Sequence, residues 1–304
     1  MLTALVLAAT LRFPDVQPPV IMDYLATEGD RVWVPAGNTG NVYVLEKGQF
    51  RTIGGFATKK GRGDRLMGPS SVTVGDGTVY VGNRGDQRIW AIDSKTLEKK
   101  GSVELPSTPD GTFWVATTKE IWVTTPRDNA IEIVDPSMKV AGRIAIDSPE
   151  GYAVDAARGI VYTNQEDKDK TVAIDARTRK IVATWESGCG KEGPRGLALD
   201  AGRGALMVAC AVAGVNVLDT RTGARKGHVD VGEGVDNIDY VKGLLYASAG
   251  RSEKAVVAKL DDDGRLEPVK TETVGKGCRV IVATPDGTGY AADSQGGQLW
   301  VIKP

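Results

Sequence analysis

Apolar–aromatic–apolar triplets punctuate the chain at near-even intervals. After each comes a polar turn, then a second stretch in which apolar and polar residues alternate. The clearest copies read VWVPAGNTGNVYVLE from Val32, VYVGNRGDQRIWAID from Val79, IWVTTPRDNAIEIVD from Ile121 and VYTNQEDKDKTVAID from Val161; weaker copies start at Leu206, Leu245 and Gly289. The middle residues are Trp33, Tyr80, Trp122, Tyr162, Met207, Tyr246 and Tyr290, separated by 47, 42, 40, 45, 39 and 44 residues. Period-two alternation rich in β-branched residues predicts half-buried strands, and no stretch carries a helical period between caps.

Each repeat reads as four strands. In the fifth these are Gly196–Asp200, Ala205–Cys210, Gly214–Asp219 and Ala224–Val231, joined by the short links AGRG, AVA and TRTG that hairpins need. A lone four-stranded sheet would leave both faces wet, whereas blades stacked around an axis bury each face on a neighbour. The expected fold is therefore all-β: a seven-bladed β-propeller of four-stranded antiparallel blades, one domain over residues 1–304. The last repeat stops after its third strand, at LWVIKP, and LAATLRFPDV (Leu7–Val16) aligns with fourth strands such as KIVATWES (Lys180–Ser187). Leu7–Val16 is thus expected to complete the last blade and remove the free edges that invite aggregation. Residues 1–9, MLTALVLAA, fit either part of that strand or the remnant of a secretory signal without its basic start.

Composition narrows the function classes. With 38 basic and 39 acidic residues the net charge is −1, which leaves no electrostatic footprint for nucleic acid. No run of about 18 apolar residues exists to span a bilayer. The 38 glycines fit a chain full of tight turns.

Several stretches resemble the YVTN-repeat propellers of the YncE-like group: VYVGN at Val79–Asn83, IWAIDSKT at Ile89–Thr96, KTVAIDARTRKIVATW at Lys170–Trp185 and GPRGLALDAGRGALMVAC at Gly193–Cys210. Repeats one, six and seven depart from that pattern, with PAGNTG, SAGRSE and ADSQGG at the turn. The resemblance implies a bacterial protein in an extracytoplasmic compartment, periplasmic or secreted. It implies no activity, because propellers host many unrelated ones.

In such a ring the residue before each first strand faces the mouth of the central channel. Aligning the repeats places Val20, Ser70, Asp110, Glu150, Arg195, Asp236 and Arg279 there. Three carboxylates and two guanidiniums then converge on one opening, either as a ligand-binding site or as a self-satisfied ring of ion pairs. Around it lie turn residues Asn38, Asn83, Arg84, Asp86, Arg127, Asp128, Asn164, Glu166, Asp167, Arg251 and Asp293. NQEDKDK (Asn164–Lys170) spaces Asp167 and Asp169 like some calcium loops but lacks the glycine and terminal glutamate, so it reads as a charged hairpin tip and no metal is expected.

Cys189 and Cys210 map to one face of one blade, compatible with a disulfide closing a loop of about 20 residues, worth roughly 3 kcal/mol, or with two buried thiols. Cys278 beside Arg279 is either an activated thiolate or a buried structural cysteine. The single histidine, His228, falls on an outermost strand, so no histidine-based zinc site or Ser-His-Asp triad can be assembled.

The chain therefore reads as a non-catalytic binding scaffold with no cofactor, a monomer taking a polar small molecule, a peptide or a protein partner at the channel mouth. Two alternatives stand beside it. One is a hydrolase or lyase using the carboxylate and arginine cluster, with Asp110 and Glu150 as an acid–base pair. The other is an accessory subunit of an electron-transfer system, although the haem-attachment motif C-x-x-C-H is absent.

Overall fold

The computed structural model describes residues 9–304 and contains seven four-stranded antiparallel sheets arranged as the blades of a propeller. The blades span residues 26–53, 69–104, 112–145, 149–186, 194–229 and 239–273, with the seventh running from 278 to 302. In blade five the strands are Pro194–Asp200, Ala205–Cys210, Gly214–Asp219 and Arg225–Val229, so the alternation in the sequence located all four.

Thr10–Arg12 supplies the fourth strand of blade seven, with Thr10 opposite Trp300, Leu11 opposite Leu299 and Arg12 opposite Gln298. This closing strand is shorter than Leu7–Val16. Pro14 has no N–H to donate to a ladder, and the chain turns there. Leu7, Ala8 and the remainder of the candidate signal lie outside the described residues.

The core is divided among the interfaces between blades. Met207 and Val217 of blade five pack with Leu245 and Val256 of blade six, and Val34 and Tyr43 of blade one pack with Val280 and Leu299 of blade seven. Six of the seven triplet centres are buried in these layers, with Tyr290 half-buried. Each large ring thereby removes apolar area from water on behalf of two blades.

Polar turn residues stitch blade to blade. Asn38 donates to the Pro19 carbonyl at 2.8 Å, Asn83 to that of Ala57 at 3.1 Å and Asn164 to that of Arg195 at 2.5 Å. Asp169 accepts the N–H groups of Cys189 and Gly190 at 3.0 and 2.9 Å, and Asp167 accepts the Ser148 hydroxyl at 2.6 Å. The aspartates of the NQEDKDK tip thus hold the loops that enter and leave blade four. Cys189 and Cys210 are joined as a disulfide with Cα atoms 5.0 Å apart. Cys278 is fully buried, and burial raises its thiol pKa, with the Asp293 charge adding to the rise.

Candidate functional site at the channel mouth

The ladder register fixes which residues face the axis. The triplet centres Trp33, Tyr80, Trp122, Tyr162, Met207, Tyr246 and Tyr290 pair with Ala26, Thr73, Phe113, Ala153, Ala198, Asp239 and Val282. Three residues back from each partner stand Asp23, Ser70, Asp110, Glu150, Arg195, Asp236 and Arg279. Six of these match the sequence alignment; in blade one the position belongs to Asp23 and not to Val20. Val20 is wholly buried in the apolar layer between blades one and seven, its N–H bonded to the Ser294 carbonyl at 2.8 Å.

In blades two, four, five and seven the first strand bulges at this point, which re-aims the side chain out of the regular pleat. The bulge in blade four needs glycine. Gly151 has φ of +64°, and a Cβ there would lie 2.3 Å from the Arg195 carbonyl oxygen.

Five of the seven join one network. The Arg84 guanidinium, from the turn between the second and third strands of blade two, bonds Asp23 at 2.9 Å and also Asp110. Arg279 bonds Asp236 and reaches Asp23 at 3.2 Å. Tyr24 extends across the channel, donates its hydroxyl proton to Glu150, lies 3.4 Å from Asp110 and accepts the Gly151 N–H at 3.3 Å. The remaining two stand apart. Arg195 pairs with Glu166 at 2.5 Å, and the buried Ser70 hydroxyl lies 3.3 Å from the carbonyl oxygens of Gly82 and Asp110.

Alignment missed Asp23 and Tyr24 and placed Arg84 among the rim turns. Tyr24 closes the channel. Its ring stacks on Tyr152 at 5.9 Å, and Tyr152 stacks on Phe113 at 4.3 Å. Beneath that plug lies a cavity of about 390 Å³ whose walls include Phe113, Trp114 and the half-buried Asp239. The outer side of the ring carries cavities of about 350, 290 and 600 Å³, all of which share Arg279 as a wall.

The ring carboxylates differ in what balances them. Burial raises the pKa of both Asp110 and Asp236, but Arg84 opposes the first shift and Arg279 the second. Glu150 has no guanidinium partner among the described residues; burial pushes it well above the usual carboxylate range, and the charges of Asp110 and Asp236 push the same way. Glu150 is therefore the member of the Asp110–Glu150 pair that keeps the proton. Arg84 and Arg279 stay charged: for Arg84, Asp110 and Asp23 outweigh burial, and for Arg279, Asp236 leads the upward shift.

A pH dependence follows. A carboxyl with a raised folded-state pKa contributes stability that is complete below its unfolded value and is lost as pH rises through the folded one. Glu150→Gln, which imitates the protonated acid, should melt several degrees above wild type at pH 8, with the gap closing as pH falls towards 5. Thermal melts across that range check it, and a variant less stable than wild type at pH 8 would show Glu150 to be a paired anion.

His228 lies on the outer strand Arg225–Val229, exposed, with Nδ1 2.9 Å from the Asn216 Oδ1. Burial followed by the charge of Arg225 lowers its pKa. It takes no part in the channel.

No family model and no curated protein matches the sequence. Solved structures match over nearly the whole chain. Virginiamycin B lyase from Staphylococcus aureus superposes with a TM-score of 0.77 at 13% identity, covering 98% of this chain and 99% of that one. A chain of a mitotic checkpoint complex gives 0.76 at 14% identity, covering 97% and 91%. The WD40 propeller domain of Doa1 gives 0.73 at 13% identity, covering 97% and 95%. At these identities the likeness establishes the fold alone.

Proposed function

We propose that the chain is a non-catalytic binding scaffold that receives a polar small molecule, a peptide or a partner's loop on the face around the channel mouth. The observation that carries this reading is the cavity of about 600 Å³ beside the ring, walled by Asn38, Arg65, Leu66, Arg279, Ser294 and Gln295 among others. Its volume falls within the roughly 300–1,000 Å³ of small-molecule sites, and apolar Val20, Ile21 and Leu66 share its wall with the anchored polar side chains of Asn38, Ser294 and Arg279. Ion pairs pin Arg279 before any ligand arrives, so binding there costs little ordering entropy.

A lyase reading has less support. A structural neighbour, virginiamycin B lyase bound to quinupristin, is catalytically inactive once one histidine is replaced by alanine. This chain's single histidine lies on an outer strand. The Asp110–Glu150 pair is capped by Tyr24 and Arg84, which leaves neither carboxyl free to approach a substrate.

A thermal-shift panel of neutral sugars, amino acids, organic anions, amines and short peptides tests the scaffold. At least one class should raise the melting temperature of wild type but not of Leu66→Trp, which fills the cavity from its exposed side. A shift that persists in Leu66→Trp, or no shift in any class, would overturn the proposal.

The same reading assigns the chain to the YVTN-repeat group on its repeat stretches, such as VYVGN at Val79–Asn83, and to an extracytoplasmic compartment on the Cys189–Cys210 disulfide, a bond that persists in oxidising surroundings. Protein isolated from its native compartment and denatured without reductant should show one titratable thiol per chain, that of Cys278. Three thiols would place it in a reducing compartment.

A further inference from the structure

The longest interval between triplets lies between Trp33 and Tyr80, and the extra residues form a flap over the mouth. Lys59–Lys60 pairs with Leu66–Met67, Lys59 opposite Met67 and Lys60 opposite Leu66. The base of the flap is fixed to blade two. Asn83 bonds the Ala57 carbonyl at 3.1 Å, the Arg84 N–H bonds that of Gly68 at 2.9 Å, and Lys59 reaches Gln87 at 3.3 Å. Gly85 permits this contact, because a Cβ there would lie 1.8 Å from the Ala57 carbonyl oxygen.

The flap carries Arg65 to a cavity of about 290 Å³ that Arg84, Arg127 and Arg279 also line, with Leu66 and Met67 on its apolar side. Arg84 and Arg279 have carboxylate partners in the ring. Arg65 and Arg127 are exposed and have neither an ion-pair partner nor a side-chain hydrogen bond among the described residues. Although its side chain is exposed overall, the Arg65 guanidinium is held below its ordinary range, first by partial desolvation against the mouth and then by the like charges of Arg279 and Arg84. Two of the four guanidiniums facing this cavity are thus left without a counter-charge among those residues, and guanidinium is suited to oxyanions through its paired N–H groups.

We propose that this cavity is an anion site, taking a small organic carboxylate or phosphate whose charged end meets Arg65 and Arg127 and whose apolar body rests on Leu66 and Met67. It deepens the binding-scaffold reading and rests on it.

Isothermal calorimetry with phenyl phosphate, benzoate and the charge-inverted benzylamine tests the site on the full chain. At least one of the two anions should bind and benzylamine should not. Arg65→Gln and Arg127→Gln should each weaken anion binding about tenfold or more. Added salt should weaken it further. Both residues are exposed, and unchanged melting of the variants will separate lost binding from lost folding. Unaltered anion affinity in both variants overturns the site. If benzylamine or a neutral compound binds at the mouth while both anions fail, the anion assignment falls and the scaffold stands; if nothing binds there, both fall.

Discussion

A chain truncated to begin at Pro14 should lose at least about 3 kcal/mol of stability, the lower end of what removing one buried aromatic alone costs, and should associate in solution. Two losses combine. The Gln298–Ile302 strand forfeits its ladder with Thr10–Arg12 and becomes a free edge at the rim of blade seven. Phe13 goes with the truncation. Its ring is buried, with centroids 4.9 Å from Tyr43 and 4.8 Å from Phe50, both in blade one. Phe13 therefore ties the strand that closes blade seven to the blade beside it, and removing it opens the layer shared by Val34, Tyr43, Val280 and Leu299. Urea unfolding with size-exclusion chromatography reads both effects, and Phe13→Ala isolates the packing share at about 3–5 kcal/mol. A truncated chain that unfolds at the wild-type midpoint and stays monomeric would show that ring closure contributes nothing.

The blades were legible because their information is local and repeated. An apolar residue at every second position and turn residues between strands recur seven times, with an aromatic at six of the seven second strands, so a weak copy such as that at Leu206, where Met207 replaces the aromatic, is read in the light of strong ones. The misplacement of blade one has a definite cause. The interval from the channel residue to the triplet centre is 10 residues in blades one, two and six, 12 in three to five and 11 in seven. It tracks the length of the first hairpin. Val20 stands 13 before Trp33, outside that range, whereas Asp23 stands at the same interval as Ser70 before Tyr80. The short EGD hairpin of blade one held the signal, but the flanking PPVIM offers no glycine-rich entry like GPSS or GPRG to align on.

Tyr24 and Arg65 were not legible in the same way. Tyr24 crosses the channel to partners 86 and 126 residues away, a relation that no period encodes. Arg65 reaches the mouth only because a flap outside the repeat folds back on it. The repeat thus specified the scaffold, while the features that give this mouth its character come from departures from the repeat.

Asp23 is the residue on which the two halves of the ring meet, and Asp23→Ala should cost about 2–3 kcal/mol, somewhat below the cost of breaking a fully buried pair. Its side chain is 10% exposed and holds Arg84 and Arg279 at 2.9 and 3.2 Å. Without it, Arg84, whose side chain is 21% exposed, keeps Asp110 as its one counter-charge among the described residues, beside the Pro109 carbonyl at 3.4 Å. Arg279 keeps Asp236, but at 43% exposed it is partly screened by water and adds the smaller share. Asp23→Asn preserves volume and one acceptor and should lose less. Chemical denaturation of the three proteins at pH 7 measures this, and a loss in Asp23→Ala within about 0.5 kcal/mol would class the ring as ordinary surface. The variant also joins stability to binding, since deleting this carboxylate increases the positive excess beside Arg65. Phenyl phosphate at a fixed concentration should therefore raise the melting temperature of Asp23→Ala more than that of wild type. An equal or smaller rise would mean that Asp23 and the anion do not share the same field.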